Sequence, residues 1–488
     1  MSTINLPENQ PISTFRLLAL VGGPLLALVM LQQPQPMGMN IESWRLVTMV
    51  TWMMIWWLSE AIPIPATALL PIPVMPLMGI DKMDAVAAHY AHSLIFLFLG
   101  GFLLAAAMQR WGLHRRIALG IVNIVGTTPG RVIGGFMLAT AFLSMWISNT
   151  ATAIMMYAVG LSVIDFIDQK TADKTAVRHF GVALMLGIAY SASIGGVGTL
   201  IGTPPNALLA SFLASTYDIK ISFSQWMLFG IPIVLIMLPI AWLLLTKIIF
   251  PANTIQTGDT RSVLKKELRA LGPMSMPERI VALVFTCTAI SWILQSQLKQ
   301  LTGLPLNDTS IALIAALILF ACPASRQRGE YVLDWDSAKQ IPWGILLLFG
   351  GGLALARGFK TSGLADWIGH SVATLDLATW GLLLAISFAI IYLTEITSNT
   401  ASTATFLPIL GAVAVGLGED PRMLTIPIAV GASMAFMMPV ATPPNAIVFS
   451  YEAMKLKDMV KAGFFLNIIA VIVTFMAMML LARAVFDL

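Results

Sequence analysis

The stretch Ser148-Asn149-Thr150-Ala151 occurs a second time in this chain, 250 residues later, as Ser398-Asn399-Thr400-Ala401. Each copy is a short polar interruption between two apolar runs, several of which are shorter than the ~20 residues that a full membrane span needs. The flanking runs are residues 133–147 and 152–167 in the first copy, and 379–396 and 401–417 in the second. Two short helices that meet at a polar tip are typical of a re-entrant hairpin, which enters and leaves the membrane on one side. The sequence therefore predicts two such hairpins.

A second motif interrupts a longer apolar run in each half of the chain. Gly202-Thr203-Pro204-Pro205-Asn206 lies within the run 180–214, and Ala441-Thr442-Pro443-Pro444-Asn445 lies within the run 424–449. Proline removes a backbone donor and interrupts a helix. Polar, non-helical backbone at membrane depth is tolerated only where it faces protein or a water-filled cavity. We therefore predict two broken helices whose breaks face such an environment.

The composition places the chain in a membrane. Of its 488 residues, 58% are hydrophobic and only 11% are charged, against roughly 25% charged in soluble domains. This argues strongly against a soluble enzyme or a nucleic-acid binder. Cys287 and Cys322 both lie in apolar runs, so the sequence predicts neither a disulfide framework nor a zinc cluster.

The two halves of the chain form a repeat. A third pair of matching segments, around Phe98-Leu99-Gly100-Gly101 and Phe349-Gly350-Gly351-Gly352, precedes the two motifs in the same order in each half. The polar segment 251–279 separates the halves and contains a basic helical stretch. Interrupted helices at corresponding positions of two halves are the best sequence indication of a transporter binding site.

The predicted fold is an all-α polytopic membrane protein with about 11 transmembrane helices and two re-entrant hairpins in an inverted repeat. Residues 1–43 form an N-terminal segment with the first helix, and the segment 251–279 is a cytoplasmic linker. The first repeat is 44–250, with an inward-opening hairpin at about 132–167. The second repeat is 280–488, with an outward-opening hairpin at about 379–417.

The positive charges set the orientation of this arrangement. With the N-terminus inside and both hairpins re-entrant, 20 of the 28 Lys and Arg residues fall on the inner side and 8 on the outer side. Cytoplasmic loops carry such an excess of Lys and Arg. We therefore expect a multi-pass protein of a plasma membrane, as in a bacterial inner membrane, with a cytoplasmic N-terminus and an external C-terminus.

The hairpin tips offer complementary binding groups. Ser148 and Ser398 each precede a helix and are good N-caps, and the free N–H groups of a helix start attract anions. The preceding helices end with unpaired carbonyl groups near Ser144 and Thr394, and carbonyl oxygens suit a hard cation such as Na⁺. A simple turn between helices is the alternative interpretation, but the duplication of the tip together with its Thr-Pro-Pro-Asn partner argues against it.

Other polar residues give weaker indications. His89 and His92 have metal-like spacing but no third ligand nearby, so we interpret them as interfacial histidines. Glu395 beside the second tip is either a proton carrier or a buried carboxylate held by hydroxyls or backbone donors. Gly195-Gly196-Val197-Gly198 follows no strand and precedes no Lys, so helix packing is favoured over a phosphate loop. The sequence shows no Ser-His-Asp set, paired carboxylates or metal motif, and we predict that the chain is not an enzyme.

From about residue 44 to the C-terminus, the paired Ser-Asn-Thr tips and Thr-Pro-Pro-Asn breaks resemble those of the divalent anion/sodium symporter family (DASS), which includes INDY-type dicarboxylate transporters. The resemblance implies a homodimer in which a transport domain moves against a scaffold domain by an elevator mechanism. It also implies two Na⁺ sites and a shared substrate site. The first Na⁺ site would comprise Ser144, Ser148, Asn149 and Gly202, and the second Thr394, Thr397, Asn399 and Ala441. The substrate would contact Asn149, Thr150, Asn399, Thr400, Thr203, Thr442 and Pro443.

One position departs from the pattern that the resemblance implies. Tyr157 stands where the family's first hairpin is expected to continue with a proline, whereas the second hairpin has Pro408. This departure bears on the path of the first outgoing helix and not on the site.

We therefore predict a Na⁺-coupled importer of C4-dicarboxylates such as succinate, malate and fumarate, with at least two Na⁺ ions. The expected partners are the dicarboxylate, Na⁺, the lipid bilayer and a second copy of the chain, but no nucleic acid. The alternatives are a Na⁺-independent dicarboxylate exchanger of the same fold, a Na⁺-coupled citrate or sulfate transporter, and a Na⁺/H⁺ antiporter that uses Glu395.

Overall fold

A computed structural model describes residues 13–126, 128–171, 173–251, 260–325, 327–373 and 378–488. The start of the predicted N-terminal segment, residues 252–259 of the linker, and Arg326 of the charge count lie outside the described residues. The described chain is helical except for a short antiparallel ribbon of β1 (Pro323–Ser325) and β2 (Glu330–Tyr331). The predicted all-α membrane fold is confirmed, with this ribbon as a small addition.

The first half of the chain, up to the end of the span that follows the first broken helix, contains twelve α-helices among the described residues. They are α1 (Thr14–Leu31), α2 (Ile41–Ser59), α3 (Ile64–Thr67), α4 (Pro71–Leu77), α5 (Met83–Ala88) with a 3₁₀ turn (His89–Ala91), α6 (Ser93–Arg110), α7 (Leu113–Val125), α8 (Pro129–Ser144), α9 (Asn149–Lys170), α10 (Lys174–Gly196), α11 (Pro204–Tyr217) and α12 (Phe223–Leu243), which continues as a π-helical turn (Leu244–Ile249).

The linker and the second half contain the remaining helices. They are α13 (Thr260–Ala270), α14 (Met276–Ile293), α15 (Gln295–Thr302), α16 (Asp308–Ala321), α17 (Trp335–Ala338), α18 (Trp343–Thr361), α19 (Leu364–Ala373), α20 (Thr379–Leu393), α21 (Asn399–Gly416), α22 (Pro421–Ala432), α23 (Pro443–Phe449), α24 (Leu456–Ala477) with a π-helical turn (Met478–Ala482), and α25 (Arg483–Phe486).

Within the described residues, nine helices are long and apolar enough to cross a membrane. They include the second arms of both predicted hairpins, α9 and α21, so the number of full spans stays a prediction. The expectation of two half-length arms is wrong for α9, which has 22 residues. This helix extends three residues beyond the apolar run 152–167 at each end, from Asn149 to Lys170.

Both long helices break where the Pro-Pro motifs stand. Residues 197–203 separate α10 from α11, and residues 433–442 separate α22 from α23. The backbone is extended at both N-cap threonines, with φ −144° and ψ 143° at Thr203 and φ −141° and ψ 149° at Thr442. Proline then occupies the first helical position, where its missing N–H costs nothing. The sequence repeat therefore produces the same local backbone twice.

The repeated segments also pack as equivalents. Phe98 of α6 and Phe349 of α18, which correspond in the two halves, contact each other edge to face with ring centroids 5.1 Å apart. The glycines two residues later allow close packing: a Cβ at Gly100 would clash with α16, and one at Gly351 would clash with the end of α3. Each repeat therefore packs against the other through α6 and α18.

Candidate functional site

The two tips and the two breaks converge on one cavity of about 760 Å³. Eleven of the thirteen residues predicted as site residues line it; they are Ser148, Asn149, Thr150, Gly202, Thr203, Thr397, Asn399, Thr400, Ala441, Thr442 and Pro443. The other two, Ser144 and Thr394, are fully buried at the ends of the first hairpin arms and do not line the cavity. Residues 250 positions apart in sequence thus share one site.

The serine of each tip caps the returning helix. Ser148 Oγ accepts a hydrogen bond from the Ala151 N–H at 3.3 Å, and Ser398 Oγ accepts one from the Ala401 N–H at 3.5 Å. The first four N–H groups of a helix have no partner within the helix. The cap uses only one of them, so both helix starts present donors and a partial positive charge to the cavity.

The first tip carries a compact group of oxygen atoms. Ser144 Oγ donates to the Ala192 carbonyl at 2.7 Å. One atom of the Asn149 side-chain amide lies 2.5 Å from Ser144 Oγ and 3.2 Å from the carbonyl oxygens of Gly202 and Ala192. As nitrogen, this atom donates to the carbonyls; as oxygen, it completes a group of four oxygens. Hard cations take oxygen ligands of this kind. The amide orientation therefore decides whether this group consists of oxygens alone or includes a donor.

The second tip is organised differently. Thr397 Oγ1 lies 2.9 Å from a carbonyl oxygen of its own helix and 2.7 Å from Ser402 Oγ. Thr394 Oγ1 donates to its own helix at 3.1 Å. The Asn399 Oδ1 atom is buried and has no hydrogen-bond partner within the described ranges. The structure therefore brings Thr397, Asn399 and Ala441 to the same cavity, and Thr394 behind it, without joining them in one cluster.

The asparagine that ends each Thr-Pro-Pro-Asn motif does not line the cavity, but it holds the break beside it, a role that the sequence analysis missed. Asn206 Nδ2 donates to the Gly196 and Thr199 carbonyls at 3.2 and 2.8 Å. Asn445 Nδ2 donates to the Ala435 and Met438 carbonyls at 3.2 and 3.0 Å in the other half. These bonds satisfy carbonyl groups that the broken helix leaves without partners. The recurrence of asparagine in both motifs was the available signal.

The glycines before the first break serve close packing, as expected for this segment. A Cβ at Gly195 would clash with the backbone of Ala141 in α8. A Cβ at Gly196 would lie 2.8 Å from Asn149 Oδ1, and one at Gly202 would clash with the Gly196 carbonyl oxygen. Small residues are therefore needed for the first tip and the first break to meet.

Gly196→Ala is expected to reduce transport at least tenfold while the protein still folds. The added methyl group displaces the Asn149 amide from its oxygen neighbours, and overpacking of this kind typically costs about 1–3 kcal/mol. Transport in vesicles and the thermal midpoint of the purified protein are the measurements. Gly381→Ala on α20 is the matched control, because a Cβ there meets no atom within 4 Å. Equal transport by the two variants would contradict the packing argument.

A family model described as the sodium:sulfate symporter transmembrane region matches residues 14–488. The chain belongs to this family. It is the divalent anion/sodium symporter family that the paired motifs indicate, and that prediction is confirmed. The family consists of transporters, so the prediction of a membrane transporter and not an enzyme is confirmed as well.

Curated relatives of this symporter-family chain cover nearly its whole length. The sodium-dependent dicarboxylate transporter SdcS of Staphylococcus saprophyticus is 39% identical over 476 residues, which are 96% of this chain and 92% of the relative. The protein of the same name from Staphylococcus aureus (strain bovine RF122) is 39% identical over 96% of this chain and 91% of the relative.

A solved structure shares the fold of this symporter. The YdaH transporter of Alcanivorax borkumensis superimposes with a TM-score of 0.56, and the match covers 95% of this chain and 96% of that one. The sequence identity is 14%, so this likeness supports the architecture alone.

Glu395 is buried and held entirely by donors. Its carboxylate accepts hydrogen bonds of 2.7–3.0 Å from the backbone N–H groups of residues 436–438, in the second break, and one of 2.7 Å from Asn467 Nδ2 in α24. Charge-assisted bonds of this kind are roughly twice as strong as neutral ones. This geometry agrees with the interpretation of Glu395 as a buried carboxylate held by backbone donors and gives it the role of a structural anchor beside the second tip.

Tyr157 and His92 have structural contacts in this chain. Helix α9 continues without interruption through Tyr157, whose hydroxyl lies 3.0 Å from Ser450 Oγ after α23. The His92 side chain accepts from the Leu94 N–H at 3.4 Å and caps α6. The described residues contain no group of three or more metal-ligating side chains.

Proposed function

We propose that this chain is a Na⁺-coupled symporter that imports C4-dicarboxylates such as succinate, malate and fumarate. The observation that carries the proposal is the single cavity into which both helix starts and both broken helices open. The names of the two Staphylococcus relatives, sodium-dependent dicarboxylate transporters, support Na⁺ and a dicarboxylate as the ligands.

The cavity supplies little formal positive charge for a dianion. Arg16 lines it, but its guanidinium pairs with Glu60 at 3.3 Å and both side chains are about half exposed. The dianion is then held by hydroxyls, amides and helix starts, and bound Na⁺ offsets its charge. A charge inside a protein is costly unless it is paired. Two Na⁺ ions per dicarboxylate give a neutral load, and any further Na⁺ makes transport electrogenic.

The proposed ligands follow the two tips. The first Na⁺ contacts Asn149 with the oxygens around it, and its remaining ligands come from Ser144, Ser148 and Gly202. The second Na⁺ uses the second tip and break; its ligands come from Thr394, Thr397, Asn399 and Ala441. The substrate carboxylates lie between the tips; their contacts come from Asn149, Thr150, Asn399, Thr400, Thr203, Thr442 and Pro443.

The same proposal includes an elevator movement of a transport domain against a scaffold, a homodimer, and the residue limits given above for the two inverted repeats. It also includes a bacterial inner membrane in which the N-terminus is cytoplasmic and the C-terminus is external. Long-range contacts support the topology, because they join segments that it places on one side. Arg116 pairs with the buried Glu278 at 2.5 Å on the inner side. Arg357 pairs with Asp81 at 2.7 Å on the outer side.

Succinate affinity is expected to rise steeply with Na⁺ concentration, with a Hill slope above one. Each ligand must raise the affinity of the other by the same factor, typically about 5- to 150-fold. Thr150→Val or Thr400→Val removes a hydroxyl from the anion side and should weaken succinate while largely sparing Na⁺. The measurement is succinate binding across a Na⁺ titration at constant ionic strength, with K⁺ replacing Na⁺ as the control.

Two alternatives have distinct outcomes in this titration. Succinate affinity that is independent of Na⁺ would overturn the symporter proposal in favour of a dicarboxylate exchanger. Na⁺-dependent binding of citrate or sulfate, with no competition from succinate, would overturn the choice of substrate alone.

A further inference from the structure

A second cavity of about 710 Å³ adjoins the proposed substrate cavity. The two share five lining residues, among them Ser148 and Thr150 of the first tip, and the others are Phe102, Pro342 and Ile345. The second cavity continues along α6 to Arg110 and along the segment that holds Ser337 and Gln340. We call it the vestibule. Since the charge count places the Arg110 end of α6 on the inner side, the vestibule connects the substrate cavity with the cytoplasmic face.

Arg110 is the basic side chain among the residues that line the vestibule. Its Nη1 atom lies 2.6 Å from Asp334 Oδ2, and its guanidinium carbon lies 5.4 Å from the centroid of the Trp111 ring. A guanidinium carries five N–H donors in a rigid plane. The contact with one oxygen of Asp334 therefore leaves other donors of Arg110 available. Asp334 does not line the vestibule, so Arg110 faces the vestibule from one side and its partner from the other.

The surroundings of Arg110 are polar on the vestibule side. Gln109, Ser337 and Gln340 also line the cavity beside it. Burial acts to raise the pKa of Asp334, but hydrogen bonds from the Ser337 backbone and side chain and the pairing with Arg110 outweigh it and hold that pKa below its usual value. The Asp334 carboxylate is therefore ionised at neutral pH and pairs with Arg110.

We propose that Arg110, with Ser337 and Gln340, forms a second anion site in the vestibule, where a dicarboxylate released from the tips stops before it leaves. This site depends on the proposed transport function. Its affinity for the dicarboxylate is low, because the dicarboxylate competes with Asp334 for the guanidinium. Its role is to attract the dianion away from the Na⁺-loaded tips. An arginine suits this role, because its planar donors match a carboxylate.

A charged reporter in the vestibule tests the proposal. Ala106 lies one turn before Arg110 on α6 and lines the vestibule. Ala106→Cys is introduced after replacement of the free Cys287 and Cys322, in inside-out membranes without Na⁺. Reaction rates with an anionic and a cationic methanethiosulfonate reagent are compared. We expect Arg110→Gln to lower the anionic-to-cationic rate ratio about threefold or more, and Asp334→Asn to raise it, as nearby charges dictate.

Succinate itself is the second probe. Millimolar succinate should slow the anionic reagent in the parent protein and not in the Arg110→Gln variant. Lys339→Gln is the matched control, because Lys339 pairs with Asp336 at 2.8 Å and does not line the vestibule. An unchanged rate ratio in Arg110→Gln, or equal effects of Arg110→Gln and Lys339→Gln, would overturn the proposal.

The background Asn399→Ala separates this site from the substrate site at the tips. If the vestibule holds its own anion site, succinate protection of Ala106→Cys persists when the second tip is disabled. Loss of protection in Asn399→Ala would assign it to the tips and overturn the vestibule site. A failure of the proposed symport function appears differently, as succinate uptake into proteoliposomes that does not depend on a Na⁺ gradient.

Discussion

Asn399→Ala is expected to abolish Na⁺-driven succinate uptake, with a reduction of about 100-fold or more, while the thermal stability in Na⁺-free buffer stays nearly unchanged. Asn399 Oδ1 is buried at the tip and has no hydrogen-bond partner in the part of the chain that the structure describes. Its removal therefore breaks no internal bond, but it deletes a ligand from the proposed site. A loss of about 2.7 kcal/mol of binding, near the upper end for a hydrogen bond to a charged group, accounts for a reduction of about 100-fold.

Asn149→Ala should abolish uptake as well and should also lower stability, by about 1–3 kcal/mol. The Asn149 amide contacts Ser144 Oγ and two carbonyl groups of the protein, so its removal leaves those groups with fewer partners. Uptake into proteoliposomes under a Na⁺ gradient and thermal unfolding in detergent are the two measurements.

Asn123→Ala on α7 provides the matched control. Its Oδ1 atom is also buried without a partner among the described residues, but Asn123 does not line the substrate cavity. It should retain uptake near the parent value. Normal uptake by either tip variant would remove the two-tip site, and equal loss in all three would indicate a general folding defect.

The parts of this site that short sequence motifs encode were predictable. A serine before a helix caps it, as Ser148 and Ser398 do. Proline is favoured in the first turn of a helix, as in α11 and α23. These rules act over three or four residues, so they needed no tertiary information. The duplication of these motifs also made it predictable that they share one site, because equivalent motifs in inverted repeats meet at the membrane centre.

The contacts that depend on distant residues were not predictable. The Ala192 carbonyl beside Ser144 comes from α10 and becomes part of the first tip only when α8 and α10 pack together. Asn467, the partner of Glu395, lies 72 residues away in α24. The Glu395 carboxylate could be described from sequence only by its two alternatives, since the donors that distinguish them belong to other elements.

Glu395→Ala is expected to destabilise the protein by several kcal/mol and to eliminate uptake. Three buried backbone N–H groups and one side-chain amide lose their acceptor together, and each unpaired buried donor costs about 1–3 kcal/mol. The segment 436–438 belongs to the second break, so its release also displaces Ala441 and Thr442, which line the substrate cavity. Thermal unfolding and Na⁺-driven uptake are measured on the same preparations.

Graded substitutions distinguish this anchoring role from proton transfer. Glu395→Gln keeps one acceptor but turns an NH₂ group toward backbone N–H groups, so it should fall between the parent and Glu395→Ala in stability. Asn467→Ala removes a single donor and should cost about 1 kcal/mol. Glu419→Gln is the control, since Glu419 accepts a hydrogen bond from a single side chain among the described residues, that of Thr379 at 2.7 Å near the end of the second hairpin. A Glu395→Gln protein with parental stability, whose uptake has merely lost its pH dependence, would instead identify Glu395 as a proton carrier. We expect instead that Glu395→Gln loses stability. Four donors already point at the carboxylate, so a proton on Glu395 would face an N–H group and replace one of these hydrogen bonds.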